Sequence, residues 1–234
     1  MTIEVVYGPP VPHLPFNAQQ AIVFDLGGVL IDLDIPRCTQ AFKELMGEEN
    51  LKKALGMNAE GKGAEAVSVA TRQLMYDYER GNITTEQFFC ELQCYSRQGT
   101  TINQLQNAWL GMLGEVPAWR IAYLKHLKRQ GYRLFMLSNS NELHWNTIFR
   151  QYPLTECFEQ VFASHELHLA KPEPEIFRQV EDVIPLCAGR TIYVDDISQN
   201  RRAAEDTVGW RTCASIEELK IILASQNKND KKQN

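Results

Sequence analysis

Residues 21–28 read AIVFDLGG, and this stretch decides the fold. A short, uninterrupted apolar run is typical of a strand buried on both faces, as in a parallel sheet. The run ends abruptly at Asp25, which is followed by a turn containing Gly27 and Gly28. Further apolar runs that end in polar turns predict strands at 132–137, 160–163 and 190–194.

The segments between these strands have the apolar spacing of helices. Pro117 and Gly131 are typical of the start and end of one helix, and Thr84 with Gln87 predicts another helix start. Further helices are predicted over 141–150, from Pro174 to Val183 and from Ser215 to about Ala224. Because strands and helices alternate, we predict an α/β fold with a Rossmann-like parallel-sheet core and helices on both faces.

The long segment after the first strand indicates a second domain. Its apolar residues lie three and four apart with no strand-like run, which predicts an inserted helical cap with a glycine-rich loop at 56–63. Prolines at the N-terminus exclude a helix or central strand there, and the C-terminus is polar. The predicted division is an extended Pro-rich arm (1–17), a core (18–36 and 112–226), a helical cap (37–111) and a disordered tail (227–234).

The composition excludes several classes of function. The chain has 234 residues and a formal net charge of −5, which argues against a general nucleic-acid binder and against adhesion to an anionic membrane. It has neither an apolar run of the ~18 residues that a membrane span needs nor the pattern of a secretory signal. Its six cysteines form no CxxC motif, so we expect reduced thiols. We predict a cytoplasmic protein, monomer or weak dimer, without nucleic-acid or membrane partners.

Polar side chains follow the ends of the predicted strands. Asp25, Ser138, Lys171 and the pair Asp195-Asp196 lie at these ends or in the loops after them. Each alone has a simpler interpretation as a turn, cap or surface residue, but in a parallel sheet ligands bind at this edge. Two adjacent carboxylates repel each other unless a cation compensates them, and Mg²⁺ is the natural partner of carboxylate oxygens. Together these residues predict a functional crevice.

The order of these motifs resembles the four motifs of the haloacid dehalogenase (HAD) superfamily: Phe24-Asp25-Leu26-Gly27-Gly28-Val29, Leu137-Ser138-Asn139, Lys171-Pro172 and Val194-Asp195-Asp196. Within it, the chain is most similar to the α-D-glucose-1-phosphate phosphatase-like group. The shared features are Ile31-Asp32-Leu33-Asp34, Glu79-Arg80-Gly81-Asn82-Ile83-Thr84, Ser138-Asn139-Ser140-Asn141, Leu143-His144 and Asn200. The resemblance implies a Mg²⁺-dependent phosphatase that acts on a small phosphorylated metabolite, with sugar phosphates foremost.

The resemblance also implies roles for the acids. Asp25 is expected to be the nucleophile that attacks phosphorus and forms an aspartyl-phosphate, which water then hydrolyses. Mg²⁺ is expected to bind Asp25, the Gly27 main-chain carbonyl and Asp196, with Asp195 behind them. The ion would cancel the repulsion between the attacking carboxylate and the phosphate.

Three further residues are implied to hold the phosphate group. Lys171 is expected to neutralise phosphate oxygens and to orient Asp25. Ser138 and the main-chain amide of Asn139 are expected to hydrogen-bond another oxygen. These roles are positioning and electrostatic, as phosphoryl transfer requires.

Gly27 departs from the usual pattern of these phosphatases. Most of them carry at this position a second Asp, which acts as general acid and base, and losing such a group typically lowers the rate about 10²- to 10⁴-fold. Three alternatives are open: an acidic leaving group such as a sugar anomeric hydroxyl, a proton from Asp32 or Asp34, or a protein that binds a phosphorylated ligand without turnover. A 2-haloacid dehalogenase also needs no such acid, but that chemistry leaves Asp195-Asp196 unexplained.

Other noticeable side chains receive structural interpretations. His144 is expected to pack against neighbouring residues or to cap a helix, and His165 and His168 are expected to support a loop. Arg201-Arg202 is expected on a solvated helix face. The aromatic residues of the predicted cap are expected to form mostly its core: Tyr76, Tyr78, Phe88, Phe89, Tyr95 and Trp109.

Overall fold

The computed structural model describes residues 20–54, 73–184 and 190–233 of the chain. The arm predicted at 1–17 and the loop predicted at 56–63 lie outside the described residues.

Five parallel strands form one sheet, in the order β3-β2-β1-β4-β5. Their bounds are β1 Ala21–Phe24, β2 Arg133–Ser138, β3 Gln160–Ala163, β4 Thr191–Val194 and β5 Arg211–Cys213. The predicted parallel sheet and its four predicted strands are confirmed. β5 is an additional strand at the edge of the sheet. Its Arg211 is exposed and its Thr212 half-buried, so it lacks the continuous apolar run that marks the others.

Helices cover both faces of the sheet, as predicted. On one face Phe24 packs in a cluster with Leu124 and Leu219, and on the other Val23 packs with Phe177. Successive residues of β1 point to opposite faces, and both faces are buried, which explains its uninterrupted apolar sequence. The helices of the core are α6 Ala118–Arg129, α7 Glu142–Gln151, α8 Ser164–Leu167, α9 Pro174–Val183, α10 Ser198–Val208 and α11 Ile216–Gln233.

Two of these helices differ from the sequence-based expectations. The buried residues of α10 are Asn200 and Ala204, so this helix has almost no apolar stripe by which to recognise it. The prediction that the last helix ends near Ala224 is wrong, because α11 continues to Gln233. No Gly or Pro interrupts its polar end.

The described residues of the cap form five helices joined by turns and loops. Its helices are α1 Ile35–Met46, α2 Glu48–Ala54, α3 (73–79), α4 Thr85–Gln93 and α5 Ile102–Leu110. The capping box of Thr84 and Gln87 at the start of α4 is confirmed. The predicted aromatic core is confirmed in part: Tyr78, Phe88, Phe89 and Trp109 are buried against one another. Tyr95 packs against this cluster while partly buried, and Tyr76 lies outside it, with 43% of its surface exposed.

The register of the central strands brings the predicted site together. Phe24 is aligned with Met136 of β2 and with Val194 of β4, so the residues that follow each strand share one edge of the sheet. Among the described residues, no helix is long and apolar enough to cross a membrane. The described cysteines are free thiols, as expected: Cys38, Cys90, Cys94, Cys157 and Cys213.

Candidate active site

A lysine lies between two buried carboxylates at the carboxyl edge of the sheet. Lys171 Nζ is 2.9 Å from Oδ1 of Asp25 and 2.7 Å from Oδ2 of Asp195. All three residues are buried, and Asp25, the most exposed of them, retains 6% of its surface. Because charges this deep are stable only when paired, the ammonium group is what makes the two acids compatible with the fold.

Hydrogen bonds to both the backbone and the ammonium group fix the position of Lys171. Nζ also donates to the Leu137 carbonyl at 3.0 Å. The side chain of Asn139 donates from Nδ2 to the Lys171 carbonyl at 2.8 Å and accepts at Oδ1 from the Lys171 amide at 2.8 Å. Asn139 therefore fixes the position of the backbone that carries the ammonium group.

Asp195 is enclosed by hydrogen-bond donors. Its Oδ2 accepts from Lys171, from the Tyr193 hydroxyl and from Nδ2 of Asn200, and its Oδ1 accepts from the Ile197 amide at 2.8 Å. These bonds occupy most of the lone pairs of the carboxylate. Asp195 thus serves mainly to hold Lys171 and the turn after β4.

Asp196 differs from its neighbour because it is exposed. The backbone of the pair is held by Arg201, whose Nη1 donates to the Asp195 carbonyl at 2.7 Å and to the Asp196 carbonyl at 2.9 Å. Arg201 is half-buried while Arg202 is exposed, so the predicted solvated helix face is confirmed for Arg202 and wrong for Arg201. Gly28 has φ +74°, and a Cβ there would lie 2.5 Å from Oδ2 of Asp196, so this close approach requires glycine.

The three acids form a cluster suited to a hard metal ion. Ligand oxygens of Asp25, Asp195 and Asp196 all lie within 4.8 Å of one another. A donor set made of carboxylate oxygens favours Mg²⁺ over softer ions. Both hydrogen bonds to the Asp25 carboxylate end on Oδ1, from the Leu26 amide and from Lys171. The residues therefore fit a divalent ion held chiefly by Asp25 and Asp196.

Burial and charge shift the pKa values of this cluster in opposite directions. Burial raises the pKa of Asp25, and the nearby Asp195 adds to that effect against the opposing Lys171. Burial would lower the pKa of Lys171, but Asp25 and Asp195 outweigh it and raise the pKa above its usual value. Burial would raise the pKa of Asp195, but its bonds to Lys171 and other donors lower it. The lysine is thus firmly charged, and Asp25 has an incompletely compensated charge that a bound cation would satisfy.

Ser138 and Asn139 lie at the end of β2, beside Asp25. Ser138 is buried, and its Oγ donates to the Asn139 carbonyl at 3.3 Å. The side chain of Asn139 is committed to Lys171. The main-chain amide of Asn139 and the Ser138 hydroxyl, rather than the Asn139 side chain, therefore stay the predicted phosphate contacts.

The structure argues against the two alternative proton donors. Asp34 caps α1, where its Oδ1 accepts from the Arg37 amide at 2.9 Å. Asp32 is paired with Arg120 at 2.8 Å. At Gly27 a Cβ would lie 3.1 Å from Cδ1 of Leu33, so an apolar side chain covers this position. Asp32 and Asp34 are thus each engaged by a partner other than the acid cluster.

His144, His165 and His168 make structural contacts, although His165 lies in α8 and not in the predicted loop. His144 stacks on Trp109 of the cap, with ring centroids 5.2 Å apart, and its Nε2 donates to the Trp109 carbonyl at 3.0 Å. His168 has φ 56° and donates from Nδ1 to the Arg80 carbonyl at 2.8 Å. The ring of His165 packs edge-on against Trp145.

Tyr193 is a site residue that the sequence reasoning missed. It lies two positions before Asp195 on β4, and strand periodicity places residues two apart on the same face. Its hydroxyl donates to Asp195, and burial raises its pKa well above the usual value. Periodicity along β4 was the signal that could have found it.

Comparisons with known proteins agree with this geometry. A family model described as haloacid dehalogenase-like hydrolase matches residues 19–206. A D-ribitol-5-phosphate phosphatase of Bacteroides thetaiotaomicron is 28% identical over 223 residues, which is 87% of this chain and 98% of the relative. A sesquiterpene phosphatase of Aspergillus oryzae is 24% identical over 188 residues, covering 80% of this chain and 85% of that protein.

Among solved structures, the chain is similar to a HAD family enzyme of Bacteroides thetaiotaomicron in complex with magnesium and inorganic phosphate. The TM-score is 0.70 at 28% identity, and the match covers 83% of this chain and 93% of the other.

Proposed function

The chain belongs to the haloacid dehalogenase-like hydrolases, and from that membership we propose that it is a Mg²⁺-dependent phosphatase that acts through an aspartyl-phosphate on Asp25. The observation that carries this proposal is the cluster in which Lys171 lies between Asp25 and Asp195 while Asp196 stays exposed beside them. It supplies a nucleophile, a fixed cation and a place for a second cation. A phosphate dianion needs all three in order to be attacked by a carboxylate.

The residues divide the reaction between them. Asp25 attacks phosphorus, the bond from phosphorus to the ester oxygen breaks, and the leaving alcohol takes a proton from water. A water molecule then attacks the aspartyl-phosphate, which releases phosphate and regenerates the carboxylate. Lys171 neutralises the phosphate oxygens and holds Asp25 in place, and Ser138 with the Asn139 amide binds another oxygen.

Mg²⁺, when bound by Asp25, Asp196 and the Gly27 carbonyl, would supply positive charge between the attacking carboxylate and the phosphate. Asp195 would support the site without binding the ion directly, because its oxygens already accept hydrogen bonds from four donors. A haloacid dehalogenase has no need of such a charge, so the exposed Asp196 favours the phosphatase.

The substrate class that we propose is a small phosphorylated metabolite, with sugar and polyol phosphates foremost. Its support is the likeness to a D-ribitol-5-phosphate phosphatase over nearly the whole of that relative. Gly27 adds a preference for acidic leaving groups, because glycine carries no carboxyl group to protonate the departing oxygen and Asp32 and Asp34 are engaged by Arg120 and by the Arg37 amide. Anomeric sugar phosphates have the more acidic leaving group, whereas ribitol 5-phosphate releases an ordinary alcohol, so a comparison of their rates tests this preference.

The test is hydrolysis of p-nitrophenyl phosphate with and without Mg²⁺, beside an Asp25→Asn variant. The proposal expects metal-dependent turnover that the variant loses, and a panel of sugar phosphates, including glucose 1-phosphate and ribitol 5-phosphate, then ranks substrates. A folded protein that binds Mg²⁺ and phosphate but does not turn over even this activated ester would contradict it. The chain would then be a phospho-ligand-binding member of the family.

A further inference from the structure

One segment of the cap reaches into the loop that carries Lys171. We call this segment, residues 76–81, the latch. We propose that Arg80 of the latch is a positioning residue for Lys171, acting through Glu173. The inference rests on the proposed function for its catalytic consequence, but not for its structural one.

Arg80 is buried, unlike most arginines at a domain surface, with only 6% of its surface exposed. Its Nη2 is paired with Oε1 of Glu173, which lies 93 residues away in the sequence. The Tyr76 hydroxyl donates to the same oxygen at 2.7 Å, and the Arg80 guanidinium lies over the Tyr76 ring. Two side chains of the latch thus converge on one carboxylate of the core.

Glu173 transmits this contact to the catalytic loop. Its second oxygen, Oε2, accepts from the amide of Ala170 at 3.1 Å. Ala170 immediately precedes Lys171, so Glu173 bridges the cap and the residue next to the lysine. Asn139 of the core therefore holds the backbone of Lys171 directly, and Arg80 of the cap holds, through Glu173, the residue that precedes it.

Further contacts of the latch lock its position. Gly81 has φ +65°, and a Cβ there would lie 2.2 Å from the carbonyl oxygen of His165. The Ser164 hydroxyl is 2.6 Å from the Glu79 carbonyl, to which it donates. The backbone of the latch therefore contacts the core so closely that only glycine fits at position 81. These contacts fix the position from which Arg80 reaches Glu173.

The consequence follows from the distances at the site. Lys171 Nζ reaches Asp25, Asp195 and the Leu137 carbonyl at 2.7–3.0 Å, so a small shift of its backbone weakens three contacts together. Displacements of about 1 Å at catalytic groups lower rates by about 10²-fold. The cap would thereby affect the chemical step through a residue that does not touch the site.

The test compares Arg80→Ala and Arg80→Lys with an ion pair of the same kind that lies elsewhere. The control is Arg133→Ala, since Arg133 pairs with Glu159 at 2.6 Å at the opposite end of β2. We expect Arg80→Ala to lower kcat about 10-fold or more, with KM changed less than about threefold, and Arg80→Lys to retain most of the activity. Arg133→Ala should leave kcat unchanged.

Chemical rescue separates positioning from a general loss of folding. Guanidinium at millimolar concentration, far below the molar range that unfolds proteins, should restore part of the kcat of Arg80→Ala by refilling the place beside Glu173. It should restore nothing in Glu173→Ala, which lacks the carboxylate. The double variant Arg80→Ala/Glu173→Ala should be no worse than the poorer single variant.

Hydrogen exchange gives a readout that needs no activity. We expect Arg80→Ala to speed exchange of the Ala170 amide, which Glu173 protects, and to leave exchange in β1 unchanged. Unchanged exchange at Ala170, or a kcat equal to that of the wild type, would overturn the inference. If the wild type hydrolyses no phosphate ester, the proposed function fails and the exchange result alone decides the structural inference.

Discussion

The crevice and the cap of this protein are held together by different forces. In the crevice, Asp25, Lys171 and Asp195 are buried, and each of the two acids is tied to Lys171 by a short hydrogen bond. In the cap, the core is an apolar cluster rich in aromatic residues, in which rings such as those of Phe88 and Trp109 pack against each other. A buried charge that loses its partner is left uncompensated, whereas apolar volume can repack. The crevice should therefore tolerate almost no change, whereas the aromatic core of the cap should tolerate apolar replacements of similar volume.

Replacing Lys171, the cation between the two acids, tests the prediction that the crevice tolerates almost no change. Lys171→Ala leaves Asp25 and Asp195 facing each other and takes a positive charge from the phosphate site, so kcat should fall by about 10³-fold. The measurement is steady-state hydrolysis of p-nitrophenyl phosphate. The matched control is Lys220→Ala, since Lys220 lies over Trp119 on the surface. A loss of less than about threefold in Lys171→Ala would contradict the assignment.

Substrates with different leaving groups test the consequence of having Gly27 where an acid is usual. Without an acid at Gly27, kcat/KM should fall as the pKa of the leaving alcohol rises, by about 10²-fold from p-nitrophenyl phosphate to a simple alkyl phosphate. Gly27→Asp should reduce this difference, because Leu33, the side chain that it meets, can move. A rate that is independent of the leaving-group pKa in the wild type would show that another group donates the proton.

The two adjacent acids should differ in their response to metal. Asp196→Asn removes an exposed carboxylate from the cluster, so the Mg²⁺ concentration for half-maximal activity should rise about 10-fold or more. The control is Asp32→Asn, because Asp32 pairs with Arg120 away from the cluster. An unchanged Mg²⁺ requirement in Asp196→Asn would remove this residue from the metal site.

The contact between cap and core should make stability sensitive to acid. Burial lowers the pKa of His144 to about 4, against an ordinary value of 6.5. Between these values the unfolded chain binds a proton that the folded chain does not, so stability falls as pH drops from about 6.5 to about 4. The loss attributable to this group is about 2–3 kcal/mol.

Urea unfolding at several pH values measures this effect in the wild type and in His144→Asn. The variant should lose stability less steeply across the same window, although it is less stable at pH 7 because it no longer stacks on Trp109. Equal pH dependence in the two proteins would show that His144 does not contribute.

The sequence allowed most of the crevice to be predicted, for a physical reason. Strands buried on both faces show as continuous apolar runs, and a parallel sheet brings the residues after them to one edge, so Asp25, Lys171 and Asp195 could be placed together. Arg80 and Glu173 could not be paired, since 93 residues separate them and each alone has the character of a surface charge. Arg201 was misjudged because its partners are main-chain carbonyls, which have no signature in a sequence.

The most direct test of the central claim is to trap the covalent intermediate. Enzyme mixed with a ³²P-labelled phosphate ester and Mg²⁺, quenched in acid within milliseconds and digested, should carry a hydroxylamine-labile label on the peptide that contains Asp25. The label should be absent from Asp25→Asn and from samples treated with EDTA. A label on another residue, or one that persists in Asp25→Asn, would contradict the assignment of Asp25 as the nucleophile.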